Sequence, residues 1–397
     1  MEGISVVSGK KVDRALMRRN NTRLVLSAIR QAGEMSRAQA AEATGMSIVT
    51  VGRIADELMT CGVLREQEKE SGAQVGRPPK VLSLEHTNLR CASAYLGRGE
   101  LYLGLVDPGG TLLDEEHHRF PDHEEFLAQP VLHWMAGHLE HFLARHAADG
   151  MRSTVGVVVP GIVDIQRGVL QFSANLRWRD VPVVAYLKER MPQYTFLLEN
   201  DTKAMALAEQ NFGPCAGCRN MVALSIGDGI GAAMILNGEI YRGVNNMAGE
   251  IGHIILNPAG KICECGKVGC LQTHLSQRTI LAEARSVYPD ITLAGLFDYF
   301  QQGDPFAVAL IGQVVDYTAI AINLLANTYA PEVVLLCGSM LRQHPVFATL
   351  VERNYRGKIN EYMQNTFQLR FERFGVDGHL MGGAALALRQ VLEQLCG

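Results

Sequence analysis

Nowhere in the 397 residues do about 18 apolar residues run together, so the chain lacks a stretch that would cross a bilayer as a helix, and no membrane insertion is expected. The opening, MEGISVVSGKKVDRALMRRNN, has no continuous apolar segment behind its charges, which argues against a secretory leader. Cysteine is sparse. The nine present are an odd number without the spacing of a small disulfide-stapled domain, so a reducing cytoplasm is the expected compartment. Nor is there a strong excess of charge, with 37 Lys and Arg against 41 Asp and Glu. What remains is a globular composition, 47% hydrophobic and 20% charged, in a chain long enough for two or three domains.

The charge is unevenly spread. Residues 1–85 hold 13 Lys and Arg against 10 Asp and Glu, and the remainder 24 against 31. Lys10, Lys11, Arg14, Arg18, Arg19 and Arg23 crowd the start, as a surface meeting phosphates would or as a solvated basic terminus would. From Asn21 to Ala32 the residues Leu24, Val25, Ala28 and Ile29 recur at helical spacing. Ser36 and Gln39 then match a capping box that opens a short helix ending near Thr44. Gly45 supplies a turn, and Ser47 can cap a third helix whose inward stripe is Ile48, Val51, Ile54, Ala55 and Leu58.

This is the helix-turn-helix order. In it the first turns of the third helix lie nearest the base edges, which makes Ser47, Val49, Thr50 and Arg53 the candidate DNA contacts. Val49 and Thr50 offer methyl groups to thymine, and Arg53 a guanidinium to guanine or phosphate. The following strand, glycine loop and strand predict a wing with Arg77, in GRPP, at its tip. The alternative is a three-helix bundle with no nucleic-acid role. Residues 1–85 are thus expected to form a winged helix-turn-helix domain.

Past Glu85 the texture changes to short β-rich runs broken by glycine. ELYLGLVDPGGTLLDEE reads as strand, turn, strand, and MVALSIGDGIGAAMILNGEIYRG repeats the plan with Asn237-Gly238 as its hairpin. Two similar openings predict a duplicated α/β body with a cleft between lobes, where function is expected. The expected division is a first lobe over 86–195, with the C-terminal helix 380–397 packing back onto it, and a second lobe over 196–379. Asn200 and Asp201 stand at a predicted strand end, where amides and carboxylates can fix a polyhydroxylated ligand or simply cap the next helix. Cys263, Cys265 and Cys270 fall within eight positions, with His253 upstream. One imidazole and three thiolates are a donor set that structural zinc takes, although the spacing differs from the commoner knuckle. Three unliganded cysteines in a glycine-rich loop are the alternative. Cys215 and Cys218 form a separate C-x2-C without a second ligand pair nearby, which reads as a surface loop.

The order PGIVD, SANLRW, ENDTKA, AGEIGH, CECGKVGC resembles the ROK family of repressors, open reading frames and sugar kinases, and within it the winged-helix regulators of the NagC and Mlc type. The resemblance implies an actin-like, two-lobed ATPase-fold body. It implies that Asn175, Asn200, Asp201, Glu250 and His253 line a sugar pocket, with Asp201 in the place of the kinases' general base. Where the family usually carries a pocket glutamate two positions past the last cysteine, this chain has Gln272. It also implies Zn2+ held by His253, Cys263, Cys265 and Cys270, as a structural brace.

The family's kinases hold ATP phosphates with a D-x-G-G-T loop. The corresponding AYLGRGEL puts Tyr95 in place of the aspartate, and bulky Arg98 is expected to fill the phosphate approach. The second phosphate loop, usually G-T-G, is GDGIG, with Asp228 aimed at the phosphate oxygens. No kinase activity is expected, and Asp201 is then a vestigial base. The implied protein is a cytoplasmic transcriptional regulator, a repressor of carbohydrate-metabolism genes. Its expected partners are a double-stranded DNA operator, a sugar or sugar-phosphate effector and a second copy of itself, as a dimer or tetramer. Residual kinase activity, or control by a transporter component in place of a free sugar, are the alternatives.

Overall fold

The first helix reaches further back than its apolar spacing indicates. In the computed structural model, which describes residues 9–68, 80–87, 89–121 and 125–396, α1 spans Gly9–Ala32, where the apolar stripe begins only at Leu24. There follow β1 (Glu34–Met35), α2 (Arg37–Thr44), α3 (Ile48–Thr60), β2 (Leu64–Glu68) and β3 (Lys80–Leu84). The local signals act as read. Ser36 Oγ accepts from the Gln39 amide while Gln39 Oε1 accepts from Ser36 N, Gly45 takes φ 69°, and Ser47 Oγ accepts from Thr50 N at 3.1 Å. Val51, Ile54, Ala55 and Leu58 are buried, but Ile48, expected in the same stripe, is 59% exposed. It sits one turn before Val51, where the helix has passed the edge of its core. The strand order β1-β3-β2 completes a winged helix.

The first lobe contains β4 (Arg90–Leu96), β5 (Glu100–Val106), β6 (Leu112–Arg119), α4 (Ala128–His146), β7 (Met151–Val159), β8 (Ile162–Asp164), β9 (Val169–Ser173), β10 (Trp178–Val181), α5 (Val183–Arg190) and β11 (Thr195–Asn200), and α6 (Asp201–Asn211) leads out of it. The second lobe contains β12 (Met221–Ile226), β13 (Ile230–Leu236), β14 (Glu239–Tyr241), α7 (Gln272–Leu275), α8 (Gln277–Arg285), α9 (Leu293–Gln301), α10 (Pro305–Tyr329), β15 (Val333–Cys337), α11 (Ser339–Gln343), α12 (Pro345–Asn354) and β16 (Gln368–Phe371). The chain returns through α13 (Asp377–Cys396).

The two main sheets have the same topology. In order β6-β5-β4-β7-β11 and β14-β13-β12-β15-β16, each is an antiparallel meander whose first strand pairs in parallel with a later one, which pairs in parallel with the next. β11 pairs with β7 from Thr195 to Asn200. The first lobe therefore extends past the expected boundary at 195, and that pairing brings Asn200 to the sheet's carboxyl edge. α13 seats between β7 and α6 because glycines remove the intervening side chains. A Cβ on Gly156 would lie 2.1 Å from the Gly383 carbonyl, and one on Gly382 1.9 Å from that of Ala204. Leu388 and Val391 on α13 are buried, whereas Leu395 is 42% exposed. α10 has the length and hydropathy to cross a membrane, but half of that stretch is buried, in the second lobe's core.

The winged helix is not a bead on a linker. Val25, Leu26 and Ile29 of α1 share one apolar cluster with Leu89, Val106, Ala384, Leu388 and Val391 of the body. Each fully buried Leu or Val adds roughly 1.5–3 kcal/mol, so the two parts are docked over a continuous core.

Candidate functional site

The parallel pairing of β11 ends in Asn200, which caps α6: its Oδ1 accepts from Lys203 N at 3.0 Å, and its Nδ2 donates to Gly161 O and Asp201 Oδ1, both at 2.9 Å. Asn200 therefore caps the helix, and its Oδ1 keeps a second lone pair on the side that lines the cleft. Asp201 opens α6 with Oδ1 accepting from Thr202 N at 2.7 Å. Among the described residues its other oxygen takes no hydrogen bond and is open to a ligand hydroxyl.

On the second lobe, glycines bring Glu250 and His253 close to β13. A Cβ on Gly249, at φ 106°, would lie 1.9 Å from Ala232 O, and one on Gly252 2.4 Å from Ile230 O. The result is an inter-lobe cleft of about 470 Å³ that Asn175, Asn200, Asp201, Glu250, His253 and Gln272 all line. That is room for a small polar ligand.

The cleft is electrostatically tense. Burial, reinforced by the Glu250 charge, pushes the Asp201 carboxyl up to about 6. Burial also raises Glu250, against the pull of His253 and Lys203, and lowers Lys203, whose Nζ donates to Asn246 O at 2.6 Å. In each case burial disfavours the charged form because water is excluded.

Toward the phosphate side, Tyr95 stacks against His379, ring centroids 4.1 Å apart. Burial drives His379 down to about 3 and raises Tyr95, so the pair is neutral at physiological pH. Arg98, expected to fill this space, is exposed at the mouth, because its position follows the end of β4 while Tyr95 lies within the strand. Asp228 is also exposed, so its charge opposes phosphate from solvent.

Beside the cleft, the loop after His253 closes through bridges Ile255↔Cys270 and Ile262↔Val268. His253 Nδ1 lies 3.7 Å from Cys263 Sγ, and Cys265 Sγ 3.7 Å from Cys270 Sγ. All four donor atoms fall within 4.8 Å of one another. A tetrahedral ion with metal–sulfur bonds of about 2.3 Å sets sulfurs roughly 3.8 Å apart, whereas a disulfide would need about 2.05 Å. The residues fit a four-coordinate metal with no open position. Among the described residues this is the one such group; Cys215 and Cys218 stand apart from it.

Comparison with known proteins identifies the body. The model of the ROK family matches residues 91–390. The chain belongs to the ROK family. It is 25% identical to the xylose repressor of Bacillus spizizenii, over 96% of this chain and 98% of the relative. It is 27% identical to the transcriptional dual regulator NagC of Escherichia coli K12, over 85% and 84%. Among solved structures, a ROK family transcriptional regulator homologous to the E. coli MLC protein superposes with TM-score 0.76 at 26% identity, covering 96% of this chain and 98% of that one. The two matches that cover 96% of this chain extend into the winged helix as well as the ROK body.

On the winged helix, Val49 is 82% exposed and Arg53 is exposed, while Thr50 is half-buried with its hydroxyl 2.8 Å from that of Ser47. Ile48 joins Val49 as a second exposed apolar group at the tip of α3. Arg77 lies outside the described residues. Of the basic run, the three arginines whose side chains are described are engaged within the protein: Arg18 pairs with Glu57, Arg19 with Glu393 of α13, and Arg23 donates to Gly238 O at 2.9 Å.

Sequence reasoning missed Arg37, which ties α3 to the wing through Asp56 at 2.7 Å and Glu66 at 2.8 Å. It also missed His379 and the half-buried Arg342–Glu372 pair at 3.0 Å on the phosphate side. No local motif marks these residues, and only the fold brings them together.

Proposed function

We propose that this ROK protein is a DNA-binding transcriptional repressor of sugar-utilisation genes, whose kinase-like body takes a sugar or sugar phosphate as effector and does not phosphorylate it. The observation that carries the reading is the cleft itself. Six ligand-binding candidates converge on it, while the Tyr95–His379 ring pair lines its phosphate side, with Tyr95 where the kinases' aspartate would stand. Zn2+ on His253, Cys263, Cys265 and Cys270 braces the wall. The protein acts in the cytoplasm as at least a dimer, reading two operator half-sites.

Three elements link cleft to DNA. α6 runs from Asp201 to Asn211, whose carbonyl accepts from Arg30. β13 runs from Ile230 to the hairpin where Asn20 Nδ2 donates to Asn237 O at 2.7 Å. α13 runs from His379 to Glu393, the partner of Arg19. An effector that prefers one lobe arrangement thereby prefers one winged-helix arrangement, and only such a difference shifts the population. Lobe closure changes the spacing of the paired recognition helices and weakens operator binding.

Calorimetry and operator gel shifts with a panel of sugars and sugar phosphates test this. One member should bind and release the operator. Silence throughout the panel would shift control to a transporter component, and sugar-dependent ATP consumption would overturn the non-kinase reading.

Two variants probe the parts separately. Arg53→Ala should weaken operator binding by about 1–3 kcal/mol if it reads a base, or lower the salt slope by about one if it meets a phosphate. Fluorescence anisotropy at several salt concentrations separates these, and an unchanged affinity and slope would remove Arg53 from the interface. Gly238 sits at φ 86°, where a Cβ would fall 2.4 Å from Arg23 Nη2 and 2.5 Å from Asn20 Oδ1. Gly238→Val should leave sugar affinity unchanged while operator binding no longer responds to sugar. Full inducibility of that variant would exclude the β13 route.

A further inference from the structure

A second cleft, of about 360 Å³, opens where the winged helix docks on the body. α1 and α3 form one side; α6, the Gly238 hairpin and α13 form the other. None of its lining residues lines the sugar cleft. Its walls are apolar, with Leu26, Leu58, Leu207, Leu388 and Leu392 among them.

Its charges are not balanced. Arg18, Arg19 and Arg389 are paired with Glu57, Glu393 and Glu239. Among the described residues Arg23 has no carboxylate in ion-pair range. One terminal nitrogen donates to Gly238 O, but Nε and Nη2 are shut from solvent and have no hydrogen-bond partner. Burial lowers its pKa despite the nearby Glu239 charge. Nε and Nη2 are the two donors that point in parallel and grip a carboxylate, sulfonate or phosphate bidentately.

We propose that this interdomain cleft is a second ligand site, taking an organic anion with an apolar body, whose acid group pairs with Nε and Nη2 of Arg23 once that side chain, which lines the cleft, turns those two closed-off nitrogens away from Gly238 and into it. The leucines hold the apolar part, and the volume suits one or two rings or a short acyl chain. Because the walls come from both domains, a ligand here favours the docked arrangement over any in which the winged helix has moved. The site thus acts on the same domain arrangement as the sugar cleft without sharing a residue with it.

The test uses the full-length protein with 8-anilinonaphthalene-1-sulfonate, an amphipathic anion that fluoresces in apolar sites, and its uncharged counterpart N-phenyl-1-naphthylamine. The sulfonate should bind saturably, at one per chain, and tighter than the amine. Arg23→Met should weaken it about tenfold or more, and Ala385→Leu, which narrows the cleft, should weaken both dyes. Circular dichroism checks that both variants fold. Asp201→Asn should leave dye affinity unchanged, whatever becomes of sugar binding. Equal affinity for the two dyes, or sulfonate binding indifferent to Arg23→Met and Ala385→Leu, overturns the proposal; so does binding lost in Asp201→Asn, which would put the dye in the sugar cleft.

Discussion

Asp201→Asn should yield a repressor that binds its operator normally and no longer lets go. The amide keeps the oxygen that accepts from Thr202 N and Asn200 Nδ2, so α6 begins as before. What changes is the atom open to the cleft, where a carboxylate oxygen becomes an N–H donor. A sugar hydroxyl that donated there loses its acceptor, and a charged hydrogen bond of this kind is worth about 1.5–3 kcal/mol, or roughly 10–150-fold in affinity. Titration calorimetry with the effector and gel shifts with the operator read the two halves. Undiminished sugar affinity in this variant would remove Asp201 from the binding site.

The same substitution carries a pH signature. Burial raises Asp201 from 3.8 to about 6, so the folded protein holds this proton more tightly than the unfolded chain. Its contribution is fully present below about pH 4 and is lost as pH rises through about 6. At pH 7.5 the ionised carboxylate is therefore a cost to folding, of about 1–2 kcal/mol after allowance for its partial exposure to the cleft. Asp201→Asn should raise the melting temperature at pH 7.5 by a few degrees, and by less at pH 5. An equal shift at both pH values would mean that the carboxylate is not strained.

What could be seen in the sequence was what local chemistry decides. The capping box at Ser36, the Ser47 cap and the Asn237-Gly238 hairpin each rest on atoms a few residues apart, and each forms as read. The twofold repeat of strand, turn, strand foretold a duplicated body, and the shared sheet order bears that out. The rest depends on distant pairing. That β11 completes the first lobe follows from its register with β7, which no local pattern encodes. Tyr95 and His379 stand 284 positions apart, and Arg23 and Gly238 215. The first half of α1 is half charged, with Val12, Ala15 and Leu16 as a short apolar set, and its basic residues read as a surface and not as a helix. The same method misplaced Ile48, because periodicity gives a helix its face but not the point where it leaves the core.

A loss at least as large should follow removal of the metal. Half of the cleft's candidate ligands depend on it: His253 is itself a donor, Glu250 lies three residues before it, and Gln272 two residues after Cys270. The other three, Asn175, Asn200 and Asp201, belong to the first lobe and the start of α6. A chain without the metal thus keeps one wall of the cleft and loses the shape of the other. Cys263→Ser with Cys265→Ser removes two donors from a closed tetrahedral set, and a structural zinc site contributes directly to folding. Purified wild-type protein should contain one zinc per chain by atomic absorption, and the double variant none. Effector affinity in the variant should fall about 10–100-fold or more, as when the groups that orient a site are removed. Operator binding should persist, because the winged helix is docked through Leu26, Ile29, Leu388 and Val391, none of which touches the metal loop. A variant that binds the effector with wild-type affinity would show that the cluster does not shape the cleft. One that also loses the operator would show that the docked winged helix depends on the metal loop.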